Sequence, residues 1–162
     1  MNAIYQTNLS FTSQNLGGKK YRRINKILLC CQGVVVAIGL SLGLLAVLGQ
    51  DVLLGIYSSE PEVLAYGALR LRIICSTYFI CGMMDCMVGS LRGLGYSVIP
   101  MFVSLTGACG LRIVWVLTIF QAFRSLQVLY LSYPVSWLIT ATAHMVTFWR
   151  IRKKFPKEDV PD

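Results

Sequence analysis

The sequence predicts an all-α membrane protein with four transmembrane helices. Three observations carry this expectation. Of 162 residues, 56% are hydrophobic and only 14% are charged, against roughly 25% charged in soluble proteins; the mean hydropathy is +0.63. The charges are bunched, and the uncharged runs between them reach the ~20 residues needed to cross hydrocarbon. The net charge of +8 falls mainly in the segments that flank these runs. Loops rich in Lys and Arg on the cytoplasmic side account for it, so it is not a nucleic-acid signal.

Residues 1–26 form an expected basic cytoplasmic segment. Its first part, Met1 to Gln14, is too polar and short to span, and suits the tail of a helix that begins elsewhere. Asn15-Leu16-Gly17-Gly18 then breaks that helix. Lys19, Lys20, Arg22, Arg23 and Lys26 follow with no acid among them. No secretory signal pattern is present at the N-terminus.

The first span is expected at about 27–49. Gly39 and Gly43 make a G-x-x-x-G pair, with Gly33, Ala37 and Ser41 as further small positions. Small residues at this spacing admit a close helix neighbour, although glycine is also simply common in membrane helices. Asp51 to Gly67 is the longest polar connection, with Asp51, Glu60 and Glu62 and no cation. Its Ser58-Ser59-Glu60-Pro61-Glu62 reads as a Ser-capped helix start, and that helix is expected to run through Arg70 and Arg72 into the membrane.

The second span is expected at about 73–91. On a helix, Tyr78, Cys81, Gly82, Asp85, Cys86 and Gly89 share one face of small and polar residues. Phe79, Ile80, Met83, Met87 and Val88 are then left for lipid. Asp85 is the central candidate, because charge in hydrocarbon is costly and marks function by default. Its alternative is an acid hydrogen-bonded in helix packing. Arg92-Gly93-Leu94-Gly95 ends the helix: the glycines Gly93 and Gly95 permit a tight turn, and Arg92 anchors it at the headgroups.

The third span, at about 98–120, holds Arg112. Arg112 and Asp85 differ in depth by roughly 10 Å at about 1.5 Å per residue. Direct pairing, snorkelling toward the acids of the Asp51–Glu62 connection, and a polar cavity all remain open for Arg112. The fourth span, at about 128–149, begins with Tyr130, Tyr133, Pro134 and Trp137, and Pro134 is expected to bend it. His144 reads as an interfacial or packing residue, or as a proton relay. Residues 150–162 form a tail that is basic (Arg150, Arg152, Lys153, Lys154, Lys157), then acidic (Glu158, Asp159, Asp162). The cation distribution places both termini and the Arg92 turn in the cytoplasm, with Arg124 as a mild dissent.

Cys30, Cys31, Cys75, Cys81, Cys86 and Cys109 all lie in apolar runs without a C-x-x-C pair, so no zinc or disulfide framework and no metal site is expected. One histidine and no Ser-His or His/Asp/Glu cluster argue against an enzyme.

Five motifs occur in order: Gln14-Asn15-Leu16-Gly17 before a basic run, Tyr57-Ser58-Ser59-Glu60-Pro61-Glu62-Val63, Ser90-Leu91-Arg92-Gly93-Leu94-Gly95, Leu111-Arg112-Ile113-Val114-Trp115 and Tyr133-Pro134-Val135-Ser136-Trp137. Together they resemble the C-terminal part of a multidrug and toxic compound extrusion (MATE) transporter. The resemblance runs from about Gln14 to Arg150. It implies that residues 1–162 are a partial C-terminal lobe, the last four helices of one six-helix bundle. It further implies efflux of small organic cations or drugs at the cell membrane, exchanged for Na⁺ or H⁺, with no other cofactor. The other lobe would then come from a separate chain. Asp85, Arg112, Tyr78 and Cys81 are the candidates for the transport path, Cys81 because it fits the family's acid position as well as Asp85 does. Arg92, Gly93, Gly95 and Pro134 are candidates for turn and gating roles. The alternative is a small four-helix membrane protein that assembles with a partner chain through its glycine faces.

Overall fold

The computed structural model describes residues 1–156 and Asp159, so Lys157, Glu158 and Asp162 of the expected tail lie outside the described residues. The elements are α1 (Asn2–Gly17), α2 (Tyr21–Leu48), α3 (Gln50–Gly55), α4 (Pro61–Gly93), α5 (Val98–Ser104), a π-helical segment (Leu105–Gly110), α6 (Leu111–Leu117), α7 (Ile119–Ala122) and α8 (Leu126–Arg152). No strand occurs among the described residues, as the sequence predicts. Three stretches are long and apolar enough to cross a membrane: Tyr21–Leu48, Pro61–Gly93 and Val98–Ala122.

α4 is the central helix and packs against α1, α2 and α8. It begins with Pro61 in its first turn and Glu62 beside it, both suited to a helix start. The residue before it is Glu60 rather than a serine; Ser58 Oγ instead accepts the Glu60 N–H at 3.2 Å. The helix passes unbroken through Arg70 and Arg72 for 33 residues, about 50 Å at 1.5 Å per residue, which exceeds the ~30 Å of hydrocarbon. The connection before it is not merely polar loop, because α3 folds within it and Leu54 packs on Gly67.

The glycine pair of α2 faces α4. A Cβ on Gly39 would lie 2.7 Å from Phe79 Cβ, and one on Gly43 would strike the Cys75 carbonyl oxygen. Close approach of α2 and α4 thus requires both glycines. Gln32 adds a polar tie, donating from Nε2 to the Met83 carbonyl at 3.1 Å. At one end of the bundle Ile24 and Leu28, Met87, Leu91 and Leu94, and Phe148 and Ile151 form a common core. Here α2 begins and α4 and α8 end.

Two expectations are corrected. Met87 and Val88 are buried rather than lipid-facing, and Phe79, Ile80 and Met83 are half-buried. The cause is the central position of α4, which has neighbours on more than one side. The third span is not a single α-helix: the π segment divides it, and Thr118 (φ −116°, ψ −74°) separates α6 from α7.

The fourth expected span folds as α8, with Pro134 inside the helix. Proline has no N–H to give the carbonyl four residues back. α8 is not among the three stretches apolar enough to cross. Its Ser132, Ser136, Thr140 and His144 lower its hydropathy, and all four are buried against the rest of the chain.

Candidate functional site

The polar residues of α8 recur every fourth position, which puts them on one ridge of a helix. That ridge meets the divided third span in antiparallel order. His144 Nε2 lies 3.0 Å from Ser104 Oγ. Gly107 packs so tightly on Thr140 that a Cβ there would strike Thr140 Oγ1. Arg112 Nε donates to Ser136 Oγ at 3.0 Å. Trp115 Nε1 donates to the Val128 carbonyl at 2.9 Å.

Arg112 is therefore neither paired with Asp85 nor turned toward the acidic connection. Its guanidinium carbon sits 4.3 Å from the Tyr133 ring centroid and 5.6 Å from that of Trp137. Trp137 is edge-on to Tyr133 at 5.9 Å and to Tyr78 of α4 at 6.0 Å. A cation over aromatic faces is attracted by their quadrupoles, and more strongly where water is scarce. The structure thus joins two sequence candidates, Tyr78 and Arg112, through Trp137. It does so by contacts that the sequence did not reveal. Tyr78 keeps 45% of its surface exposed beside this cluster.

Cys81 and Asp85 follow Tyr78 along the same face of α4 and are half-buried. Gly82, Cys86 and Gly89 of that face are buried, but Tyr78 is exposed and Met87 and Val88 off the face are buried too, so burial does not single this face out. Among the described residues, Asp85 receives no hydrogen bond and forms no ion pair, so the alternative of an acid tied down in helix packing gains no contact. No group of three His, Cys, Asp or Glu that could hold a metal occurs among the described residues.

The far end of α4 is built by α1, which the sequence left as a polar stub. Asn8 is fully buried; its Nδ2 donates to the Cys86 carbonyl at 2.6 Å and to Ser90 Oγ at 2.9 Å. Thr12 Oγ1 donates to Asn8 Oδ1 at 3.3 Å. Gly89 and Gly93 seat α1: a Cβ on Gly89 would lie 3.0 Å from the Tyr5 carbonyl oxygen, and one on Gly93 2.7 Å from Thr12 Cβ. Gly93 is thus a helix-contact residue, not a turn residue. The turn belongs to Gly95, whose φ of +88° closes the helix. The Gly95 and Tyr96 N–H groups bond the Arg92 and Leu91 carbonyls at 2.9 and 3.0 Å, the double bond pattern of a Schellman end. Arg92 holds α1 rather than projecting alone, donating from a terminal nitrogen to the Tyr5 hydroxyl at 2.8 Å.

His144 is completely buried, not interfacial, and its Nδ1 has no hydrogen-bond partner. Pro134 lies one residue before Val135 and two before Ser136, within the aromatic cluster of α8. The sequence missed Asn8 and Ser104, and quoted Ser136 and Trp137 only within a motif, without a role at the site. The four-residue period of Ser132, Ser136, Thr140 and His144 was the available signal.

The MatE family model matches residues 7–118 of the chain. No curated protein and no solved structure gives a significant match.

Proposed function

The chain belongs to the MatE family, a family of membrane transporters, and from that premise we propose that it carries small organic cations outward in exchange for Na⁺ or H⁺. The single observation behind this reading is Asp85, a half-buried acid in a membrane helix that makes no hydrogen bond or salt bridge among the described residues. A carboxylate so placed attracts a cation or takes a proton as its cavity opens and closes. In this reading Tyr78 and Cys81 line the path on the same face of α4, and Arg112 sets its electrostatic boundary from the third span. Gly95 fixes the turn, Gly93 and Arg92 hold α1 to it, and Pro134 supplies the bend point of α8.

We place the C-terminus and the Arg92 turn on the cytoplasmic side of the cell membrane, because the start of α2 and the ends of α4 and α8 gather the cations at one end; the N-terminus, expected there too, instead starts α1 against Gly39 and Gly82, inside the length of α2 and α4. We take the working unit to be this chain with a second lobe supplied as a separate chain. The test is efflux of a fluorescent organic cation from cells that express both lobes. Asp85→Asn is expected to abolish its dependence on the ion gradient. Unchanged efflux under every pH and Na⁺ gradient would sink the role of Asp85.

A second reading, assembly with a partner chain, rests on one observation. Gly39, Gly43, Gly89 and Gly93 are filled from within the chain, but Gly33, Ala37 and Ser41 make a small-residue stripe on α2 that stays exposed. Crosslinking from cysteines placed along that stripe discriminates the two readings.

A further inference from the structure

We propose that the junction of the first turns of α2 with the last turn of α8 binds the phosphate of an anionic phospholipid. This inference stands apart from the transport reading. It starts from a cavity of about 530 Å³ lined by Asn25, Trp149, Arg152, Lys153 and Phe155. That volume lies within the roughly 300–1,000 Å³ of small-ligand pockets.

Arg152 is buried, with 9% of its surface exposed. Its guanidinium is held by four neutral oxygens. Nε donates to Asn25 Oδ1 at 3.2 Å, one terminal nitrogen to the Tyr21 carbonyl at 2.9 Å, and the other to the Phe155 and Pro156 carbonyls at 3.3 and 2.8 Å. These bonds fix the fork, and no carboxylate among the described residues pairs with it. A buried charge without an opposite charge is costly, and an arriving anion removes that cost.

Lys153 completes the site. Its ammonium lies 3.3 Å from the centroid of the Trp149 ring. The ring keeps it at the cavity without neutralising it. Arg22, Arg23 and Lys26 on the first turns of α2 add positive potential to the same end. The described acid there is Asp159, whose Oδ1 accepts the Arg22 backbone N–H at 2.8 Å.

The apolar part of the lining selects a lipid over a bare anion. Trp149 is 61% exposed and stands where α8 leaves its apolar run, the level at which membrane proteins carry aromatic belts. Phe155 forms a second apolar wall and stacks on Tyr21 at 6.1 Å. A phosphate on Arg152 and Lys153 would lay its first acyl carbons along these rings. Basic pockets between membrane helices are suited to anionic headgroups for this reason.

The experiment is native mass spectrometry of the full chain released from detergent, titrated separately with phosphatidylglycerol, phosphatidylcholine and inorganic phosphate. Phosphatidylglycerol is expected to bind at least about tenfold more tightly than phosphatidylcholine. Lys153→Gln is expected to weaken phosphatidylglycerol by about fivefold, the worth of one cation near an anionic surface, and to weaken phosphatidylcholine less, because its choline cation already offsets the phosphate. Lys153 is exposed, so this variant keeps the fold. Arg152→Lys tests the fork separately and is expected to weaken the same lipid. Equal affinity for the two lipids would overturn the proposal, as would an unchanged preference in Lys153→Gln. Inorganic phosphate binding as tightly as phosphatidylglycerol would overturn the assignment to a lipid.

Discussion

Gly39→Ala is the sharpest test of how α2 meets α4. The added Cβ would lie 2.7 Å from Phe79 Cβ and 2.9 Å from Phe79 Cα. Ordinary contact begins near 3.4 Å, so the two helices must separate by about 0.7 Å. Neither Phe79 atom can rotate aside, because both are fixed to the α4 backbone. Overpacking of this kind costs about 1–3 kcal/mol, and rigid neighbours place it in the upper half of that range. Against this stands the gain in helix propensity of alanine over glycine, about 0.8–1.0 kcal/mol. The net expectation is a loss of about 1–2 kcal/mol. Gly33→Ala is the control on the same helix, since nothing lies within 4 Å of its added Cβ. It retains the propensity gain alone and should stabilise by up to about 1 kcal/mol. The assay is reversible unfolding of the chain in bicelles by SDS titration, followed by tryptophan fluorescence. If Gly39→Ala proves as stable as the parent, or if Gly33→Ala falls as far as Gly39→Ala, the close α2–α4 packing is wrong.

Two further outcomes use the same unfolding assay. Asn8→Ala should cost about 1 kcal/mol, because it strips the Cys86 carbonyl and Ser90 Oγ of a buried donor; a variant of unaltered stability would mean that α1 does not dock on α4. Ser104→Ala should cost about 1–3 kcal/mol by leaving both nitrogens of buried His144 without a partner. The double variant Ser104→Ala with His144→Leu should recover most of that loss, since removing both polar partners is nearly neutral; additive losses would exclude the pair.

Hydropathy made the fold class and the first two membrane helices legible, because α2 and α4 owe their apolarity to long runs that need no tertiary information. Glycine spacing was legible as well: Gly39 and Gly43 proved to be a helix contact. What failed was the assignment of lipid-facing and turn positions, which depends on which neighbours a helix has. Met87 reads as lipid-facing from α4 alone, yet α2 and α8 cover it. Asn8 reads as one polar residue in the tail of a helix too polar to span, yet its polarity is consumed by the α4 backbone and Ser90. Gly93 reads as a turn glycine from its place beside Arg92, but one residue pair later Gly95 alone has the positive φ. α8 shows the same limit from the other side. Its buried serines, threonine and histidine depress the very quantity by which a membrane helix is recognised.

The position of Arg112 depends on a local change of helix period. On a regular α-helix that presents Ser104 to α8, the residues next in line are 107 or 108 and then 111, at 3.6 residues per turn. The observed partners of α8 are Ser104, Gly107 and Arg112. The extra residue is absorbed by the π segment Leu105–Gly110, where each turn is wider than in an α-helix. Straightening that segment would swing Arg112 by about 100°, off Ser136 and the Tyr133 ring. The guanidinium would then lose its polar partner and its aromatic seat in a layer where an exposed charge is costly. The π segment therefore delivers Arg112 to α8, and the cost of exposing Arg112 in turn holds the π segment against reverting to the better-bonded α-helix. Small side chains make this possible, since Gly107 lets Thr140 approach where any Cβ would block it. A periodicity read at 3.6 residues per turn cannot report a face that depends on a local change of that period.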